Sequence, residues 1–332
     1  MAEISIIIPL YNSGKSIIRC LKSIAVQTFS DYEVIIINDG STDNSITYVQ
    51  KYLDTDKAFS ERVRVITTEN GGAANARNRG IREARGKYLA FVDQDDFIAK
   101  DYFGKYYAEA ESSKADIIVG GYERVASDGR IIFRVVPKPS EWAGYIVTAP
   151  WAHLYRRDFI VNKNIEFLNN KIGEDVYYNV VALNAGASVS VLDNKGYKWF
   201  YNDKSVSNSV QNTFKDDVDA VYLMDSIYEK VRAHSDGQNI GSNEYLEYFF
   251  LRYVCWYMLF STRGSKKTDI EKHYNSAFEW IRKHYPDYRK NRFIGFRKPK
   301  GEVSKFHAYV FCFYFLEKLH MMKSVLKMFR KR

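Results

Sequence analysis

The first third of the chain alternates short, continuous apolar runs with segments whose apolar residues recur at helical spacing. Runs that are rich in β-branched residues and separated by helices are typical of parallel strands buried on both faces of a sheet. The pattern therefore predicts an α/β fold with a mixed, mostly parallel sheet flanked by helices. The predicted strands are Ile4–Ile8, Val34–Ile37, Val63–Thr67 and Tyr88–Val92, and the predicted helices are Ser16–Val26, Ser45–Leu53 and Ala74–Ala84.

The pattern changes in the later part of the chain. Asp116–Val125 and Ile131–Val135 are the last predicted strands, and long aromatic-rich helical patterns take over from about Phe214. Tyr245–Phe260 is apolar nearly all round, which indicates a buried helix. We therefore predict two domains, an α/β domain at residues 1–213 and a helical, basic domain at residues 214–332.

The composition indicates a folded protein of a reducing compartment. With 46% hydrophobic and 27% charged residues, the 332-residue chain does not fit the disordered or fibrous classes. Its three cysteines, Cys20, Cys255 and Cys312, are far apart, which predicts buried thiols and not a disulfide frame or a zinc site. The start of the chain resembles no secretory signal, and no apolar stretch approaches the roughly 20 residues of a membrane-spanning helix. We expect a cytoplasmic protein.

An acidic cluster follows the fourth predicted strand, at Asp93-Gln94-Asp95-Asp96. Side chains two residues apart at a strand end point the same way, so Asp93 and Asp95 are expected to converge on one ligand. Two carboxylates that lie close together repel each other unless a cation or a donor separates them. A divalent cation with oxygen ligands fits this arrangement. The alternative is an acidic loop or helix cap after the strand.

Polar motifs occur at the ends of the other predicted strands, where open α/β sheets bind their ligands. In this order and spacing, the motifs closely resemble those of the family 2 glycosyltransferases, which have a GT-A fold. The resemblance covers roughly residues 3–210. The segments that carry it are Pro9–Asn12, Asn38–Asp43, Asn70–Gly72, Ala76–Asn78 and Gly86–Asp93.

The resemblance implies an inverting transferase that moves a hexose or N-acetylhexosamine from a UDP-sugar to a hydroxyl of a glycan acceptor. Pro9 and Tyr11 would lie against the uracil ring, and Asp39 would accept its imide N–H. Arg77 and Asn78 would border the nucleotide pocket, although Arg77 also fits a simple ion pair with an acidic loop.

The resemblance also implies a metal site in the acidic cluster. Asp93 would hold the ribose or a metal-bound water, and Asp95 would bind Mn²⁺ or Mg²⁺ that bridges the diphosphate of the donor. Such an ion stabilises a departing diphosphate as negative charge develops on it.

Gly173-Glu174-Asp175 precedes another helical pattern. Acidic residues at a helix start commonly serve as caps. The resemblance instead implies that Asp175 is the general base that removes the proton of the acceptor hydroxyl, and that Glu174 orients the acceptor.

Two further segments fall within the resemblance. Trp151 is expected either to stack on an acceptor sugar or to belong to the core, and His153 stands where the family more often has lysine. Lys204–Ser207 resembles the family's segment that closes over the diphosphate.

The C-terminal region is strongly basic. Arg263–Arg332 contains 19 Lys and Arg against 6 Asp and Glu, whereas the whole chain has a net charge of +9. A basic, partly amphipathic helix at Lys318–Arg332 fits the inner face of an anionic cell membrane. A contact with another subunit in a homo-oligomer is the alternative, and neither requires nucleic acid as a partner.

Other functions fit the sequence less well. Gly14-Lys15-Ser16 lacks the earlier glycine of a phosphate-binding P-loop, and Pro9–Gly14 lacks the GxGxxG pattern of dinucleotide-binding proteins. The remaining alternative is a catalytically silent glycan-binding or scaffold protein on the same fold. It is disfavoured because Asp39, Asp93, Asp95 and Asp175 are all present.

Overall fold

The computed structural model describes residues 2–170, 173–202, 213–214, 219–235 and 243–330. These residues belong to two compact units. The first is drawn from Met1–Pro139 and Val147–Asn202, and the second from Ser140–Ile146 and Asp203–Arg332. Residues on both sides of the predicted boundary at 213 and 214 lie outside the described ranges, so that boundary stays a prediction. No pattern in the sequence indicates that Ser140–Ile146 packs with the second unit.

Two sheets form the centre of the first unit. The larger has seven strands in the order β10-β6-β9-β4-β1-β2-β3, and the smaller has four in the order β5-β11-β7-β8. The strands are β1 Ile4–Leu10, β2 Tyr32–Asp39, β3 Val63–Thr68, β4 Tyr88–Phe91, β5 Phe97–Ile98, β6 Ile117–Val119, β7 Tyr122–Val125, β8 Ile131–Val135, β9 His153–Arg156, β10 Val189–Val191 and β11 Tyr197–Phe200.

The larger sheet is mixed and mostly parallel. Strands β3, β2, β1 and β4 run parallel to one another, β9 runs antiparallel to both β4 and β6, and β10 is parallel to β6. Strands β1 and β4 are buried along their whole length, as their continuous apolar runs predict. The prediction of an α/β fold with a mostly parallel sheet is confirmed.

Helices cover the larger sheet, and the second unit is helical. A Cβ atom at Gly80 of α4 would lie only 2.3 Å from Cγ2 of Ile7, so a glycine is needed there for α4 to approach β1. The helices are α1 Ser16–Ala25, α2 Ser45–Thr55, α3 Lys57–Ser60, α4 Ala73–Glu83, α5 Tyr102–Ser113, α6 Ala143–Ile146, α7 Arg157–Asn162, α8 Glu174–Asn184, α9 Ala220–His234, α10 Glu244–Ser261, α11 Lys267–His284, α12 Ser304–Lys318 and α13 Met322–Phe329.

Two strand predictions differ from the structure. Pro9 does not end β1, which continues to Leu10. The ladder between β1 and β4 stops at Ile7, so Pro9 lies where β1 keeps only its β2 neighbour and one missing N–H is tolerated. The single strand predicted at Asp116–Val125 is two strands in different sheets, because the chain leaves one sheet for the other at Gly120-Gly121.

Aromatic side chains fill the core of the second unit, as the composition of its helices predicts. Phe250 and Phe278 are fully buried, and the predicted buried helix at Tyr245–Phe260 is present as α10. Among the residues that the structure describes, no helix has both the length and the apolar character needed to cross a membrane.

Candidate active site

The loops that follow β1, β2 and β4 start from the carboxyl ends of three neighbouring parallel strands. Ligands of open α/β sheets bind at this edge. The candidate residues Tyr11, Asp39, Asp93 and Asp95 all lie at or just beyond these strand ends, and α8 begins with Glu174 and Asp175. The site therefore combines two sources of carboxylates, one from the sheet edge and one from a helix start.

Arg77 of α4 joins these two sources. Its Nη2 donates to Oδ1 of Asp93 at 2.9 Å, and its Nη1 donates to Oδ1 of Asp175 at 3.0 Å and to Oε1 of Glu174 at 3.4 Å. The guanidinium is almost fully buried, whereas the three carboxylates are partly open to solvent. Arg77 thus has the ion pair with acidic residues that the sequence offered as the alternative, extended to three partners, and its place at the nucleotide pocket stays a prediction.

The charges in this cluster do not balance. Burial by itself lowers the pKa of Arg77, but the neighbouring Asp175, Asp93 and Glu174 outweigh burial and raise it, so the guanidinium stays charged. Burial also raises the pKa of Asp175; Arg77 opposes this rise, while Glu174 and Asp93 add to it. Asp175 therefore holds a proton more tightly than an ordinary aspartate, as expected of a group that accepts a proton during catalysis.

The acidic cluster Asp93–Asp96 forms a turn and does not continue β4. The strand ends at Phe91, and the backbone N–H of Asp96 donates to the carbonyl of Asp93 at 3.1 Å. Because Asp93 and Asp95 lie in a turn, strand alternation does not determine where their side chains point. Burial and the charge of Asp93 raise the pKa of Asp95, so the two carboxylates still interact.

Asp96 has a structural role in this turn. Its carboxylate accepts hydrogen bonds from the hydroxyl of Tyr197 at 2.7 Å and from the backbone N–H of Phe200 at 2.8 Å. The same Tyr197 hydroxyl accepts the N–H of Asp93 at 3.1 Å. Strand β11 of the smaller sheet thus fixes the turn that carries Asp93 and Asp95.

The donor set of this turn fits a divalent cation that is completed by substrate. Among the described residues, no three His, Cys, Asp or Glu side chains form a metal-binding group by themselves. Mg²⁺ and similar ions are commonly held by one or two carboxylates together with phosphate oxygens and water. The mutual repulsion of Asp93 and Asp95 is what such an ion would offset.

Asp39 holds the loop that leads into α4. Its Oδ1 accepts the N–H of Gly71 and its Oδ2 accepts the N–H of Gly72, both at 2.8 Å. Gly40 has a φ of +68°, and a Cβ there would lie 2.9 Å from the N atom of Asn70, so glycine is required at this position. The resemblance implies that Asp39 accepts the imide N–H of uracil. In the structure both carboxylate oxygens of Asp39 accept backbone N–H groups of Gly71 and Gly72, and each oxygen retains one further lone pair.

Gln94 joins the β1 loop to the acidic turn. Its Oε1 accepts the N–H of Tyr11 at 2.8 Å, and its Nε2 donates to the carbonyl of Tyr11 at 3.0 Å. The Tyr11 side chain is 46% exposed and so accessible to a planar ligand, whereas Pro9 is buried within β1. Gln94 was not predicted as a site residue, although its place between Asp93 and Asp95 was a signal.

Two asparagines bind backbone near the start of α8, Asn179 at Asp175 itself and Asn78 at Phe167. The Asn78 side chain donates to the Phe167 carbonyl at 2.8 Å and accepts the Phe167 N–H at 2.7 Å. The Nδ2 of Asn179 donates to the carbonyl of Asp175 at 3.0 Å, and its Oδ1 accepts from Tyr155. Asn78 was predicted to border the nucleotide, but its amide is engaged by backbone. Asn179 was missed, although it stands four residues after Asp175 on one helix.

Trp151 and His153 belong to the core of the first unit. Trp151 stacks on Tyr197 with ring centroids 4.2 Å apart, and His153 is only 1% exposed. Burial lowers the pKa of His153 to about 4, and its Nδ1 lies 2.9 Å from the carbonyl oxygen of Ala149. Both side chains are covered by protein, which favours the core alternative for Trp151 and leaves His153 almost no surface for an acceptor or sugar. The predicted closing segment Lys204–Ser207 lies outside the described residues.

Comparison with known proteins shows the family of this chain. Residues 5–169 match the sequence model of "Glycosyl transferase family 2". This chain belongs to glycosyltransferase family 2. It is 34% identical over 223 residues to Bacillus subtilis EpsJ, described as an uncharacterized glycosyltransferase, in a match that covers 61% of this chain and 62% of EpsJ. The chain thus spans less than two thirds of that relative's length.

Solved structures of other glycosyltransferases share the fold. Residues 1–349 of Staphylococcus aureus TarS, in complex with UDP, superpose with a TM-score of 0.60 and 20% identity, covering 91% of this chain and 95% of that one. A mannosyltransferase from Pyrobaculum calidifontis, in complex with GDP-Man and Mn²⁺, superposes with a TM-score of 0.52 and 13% identity, covering 99% of this chain and 88% of that one. The predicted GT-A fold with C-terminal helices is confirmed.

Proposed function

We propose that this family 2 glycosyltransferase is an inverting hexosyltransferase that moves a hexose or N-acetylhexosamine from a UDP-sugar to a hydroxyl of a glycan acceptor. One observation carries the proposal. Arg77 gathers Asp93 of the acidic turn and Asp175 of the helix start in a single ionic cluster, with contacts of 2.9 and 3.0 Å. Inverting transfer requires a site for the leaving diphosphate and a base for the acceptor within one sugar's reach of each other.

Asp175 is the proposed general base. The oxygen of the acceptor hydroxyl forms a bond to the anomeric carbon as the bond from that carbon to the diphosphate oxygen breaks. The hydroxyl proton moves to an oxygen of Asp175, and UDP departs with the bonding electrons. Because the pKa of Asp175 is raised, its carboxylate is more basic than an ordinary aspartate and better suited to this proton transfer. Glu174 lies on the same cluster and is proposed to orient the acceptor.

Asp95, with Asp93, is the proposed holder of Mn²⁺ or Mg²⁺. When bound, such an ion would stabilise negative charge on the diphosphate. Arg77 keeps Oδ1 of Asp93 at a fixed position, and Tyr197 fixes the backbone N–H of Asp93. Mn²⁺ in the archaeal mannosyltransferase complex supports the proposal by analogy of fold.

Tyr11 and Asp39 are proposed to recognise the base of the donor. The exposed Tyr11 ring offers a face for stacking, and the free lone pairs of Asp39 offer an acceptor for the imide N–H of uracil. UDP bound to TarS, a protein of the same fold, supports a uridine donor. The glycan acceptor and a location at the inner face of the membrane remain proposals.

The test is UDP release from a panel of UDP-sugars, measured with Mn²⁺ and with EDTA for the native protein and for Asp95→Asn. We expect one donor to be turned over slowly, and the rate to fall at least about a hundredfold with EDTA and in the variant. The matched control is Asp158→Asn, because Asp158 is highly exposed on α7, away from the sheet edge. It should turn over the donor at the native rate.

Two results would count against the proposal. Native turnover by Asp95→Asn in Mn²⁺ would remove Asp95 from the metal site. Calorimetry that detects no binding of any UDP-sugar by the native protein, with Mn²⁺ present, would favour the alternative of a catalytically silent glycan-binding or scaffold protein.

A further inference from the structure

The second unit contains an apolar cavity of about 650 Å³ among helices α10, α12 and α13. Its volume lies within the roughly 300–1,000 Å³ range of small-molecule sites in proteins. Each helix contributes apolar side chains to the wall, among them Leu259, Leu316 and Val325. Cys312, whose thiol is free and exposed, also lines it. The wall is therefore suited to a hydrocarbon chain and offers few groups for a polar ligand.

The mouth of the cavity combines exposed aromatic rings with a positive charge. Phe260, Tyr309 and Phe329 line the cavity and are 41%, 47% and 51% exposed. Arg263, the exposed residue that follows α10 by two positions, lines it as well. Aromatic side chains beside a basic residue are typical of protein surfaces that meet the headgroup region of a lipid. Arg330, which directly follows Phe329, adds another cation to this part of the chain.

We propose that this cavity binds one acyl chain of an anionic membrane lipid, with the lipid phosphate at Arg263. Charge complementarity selects this occupant over a second copy of the chain. A two-fold contact through this cavity would bring Arg263 of both copies into one interface, and the sequence from Arg263 onward has 19 Lys and Arg against 6 Asp and Glu. Like charges would then oppose the contact, whereas an anionic lipid is attracted by them. The proposal concerns a binding site and does not depend on the donor chemistry.

Cys312 provides a test on the unmodified protein, since Cys20 and Cys255 are buried and Cys312 is exposed. The probe is myristoyl-lysophosphatidylglycerol, which has one acyl chain and an anionic headgroup, and the readout is the rate of Cys312 alkylation by N-ethylmaleimide. We expect saturating probe to slow alkylation at least about tenfold. Myristoyl-lysophosphatidylcholine, which has the same chain without net charge, should bind at least about fivefold more weakly.

Charge-reversal variants test the headgroup contact. Arg263→Glu should weaken binding of the anionic probe at least about fivefold, whereas Lys283→Glu should change it less than about twofold. Lys283 is the matched control because it is exposed on α11 and does not line the cavity. Val325→Trp, which fills the cavity, should abolish the protection of Cys312.

Three results would overturn the proposal. The first is an unchanged alkylation rate at saturating probe. The second is equal affinity for the anionic and zwitterionic probes together with no effect of Arg263→Glu. That result would exclude an anionic lipid as the specific ligand of the cavity. The third is protection of Cys312 by raised protein concentration alone, with sedimentation showing a dimer, which would assign the cavity to a subunit contact.

Discussion

The edge of the large sheet and the C-terminal helical unit both pair carboxylates with buried or partly buried arginines, but the ratio of acids to bases differs between them. At the sheet edge, the single guanidinium of Arg77 serves Asp93, Glu174 and Asp175. In the helical unit, Glu317 pairs with Arg289 through two contacts of 2.9 and 3.3 Å. The sheet edge leaves negative charge in excess, whereas in the helical unit Glu317 has one base of its own and the buried Glu247 accepts a hydrogen bond from the neutral Asn291 amide.

Glu302, another buried acid of the helical unit, also has one base beside it. Glu302 is 3.0 Å from Nε of Arg252 and accepts a hydrogen bond from the indole N–H of Trp142 at 3.2 Å. A matched pair with additional hydrogen bonds satisfies both ions and needs no ligand. Three carboxylates on one cation are costly unless a further cation or a proton joins them. The excess therefore marks the region where chemistry is expected, and the balance marks the region where acids serve the fold.

The largest expected effect is the loss of turnover in Asp175→Asn. An amide cannot accept the proton of the acceptor, so UDP release should fall by about a hundred- to ten-thousandfold. Calorimetric affinity for the UDP-sugar should stay within about threefold of native, because Asp175 acts on the acceptor. Glu317→Gln, the matched change in the helical unit, should leave turnover per folded molecule unchanged. Native turnover by Asp175→Asn would exclude Asp175 as the base.

Removal of Arg77 should cost more stability than removal of its counterpart Arg289. Arg77→Met leaves three carboxylates without their cation, and we expect the free energy of unfolding to fall by about 3–5 kcal/mol. Arg289→Met leaves only Glu317 unpaired, and we expect about 1–3 kcal/mol. Urea titration at several pH values provides the measurement.

The loss of unfolding free energy in Arg77→Met, called the deficit below, should change with pH in one direction. The pKa of Asp175 is already raised by burial and by its acidic neighbours, and loss of Arg77 raises it further. Protonation therefore neutralises the unpaired Asp175 carboxylate as the pH falls, and the deficit should be largest at alkaline pH and shrink as the pH falls through the native pKa of Asp175, about 8. A deficit that is constant with pH would indicate that lost packing, and not unpaired charge, causes it.

The sequence predicted the strands of this fold better than it predicted which side chains contact one another. The strands at Ile4, Val34, Val63 and Tyr88 could be found because continuous apolar runs are a local signal. The Arg77 cluster joins residues up to 98 positions apart, and no local pattern encodes such pairing.

Burial was the other feature that the sequence could not decide. Trp151 lies in the short turn before β9, and His153 begins β9, which lies between β4 and β6; both side chains are therefore in the core, although the sequence left a contact with an acceptor or sugar open. Asn78 directly follows Arg77 in the sequence. Its amide binds the backbone of Phe167 because the fold brings residue 167 beside it, and no local pattern predicts that contact. Residue type at these positions was therefore less informative than the neighbours that the fold supplies.

A matched pair of buried asparagines tests whether the two regions divide activity from stability. Asn78 binds the Phe167 backbone, and Asn291 binds the Glu244 carbonyl and the N–H of Phe293 in the helical unit. Either change to alanine should lower the free energy of unfolding by about 1–3 kcal/mol. Only Asn78→Ala should also lower turnover per folded molecule, by about tenfold or more, because it frees the segment before Asp175. Equal turnover in both variants would contradict a positioning role for Asn78.

The smallest expected effect is a shift of the acid limb of the pH–rate profile. Turnover requires ionised Asp175, so the rate should fall as the pH falls through its raised pKa, above the usual range of aspartate. Glu174 is one of the charges that raise this pKa, so Glu174→Gln should move the limb to lower pH by roughly one unit. Glu317→Gln should not move it, because Glu317 belongs to a balanced pair in the other unit. A limb that stays in place in Glu174→Gln would mean that the titrating group is not Asp175, and the excess of negative charge at the sheet edge would then need another explanation.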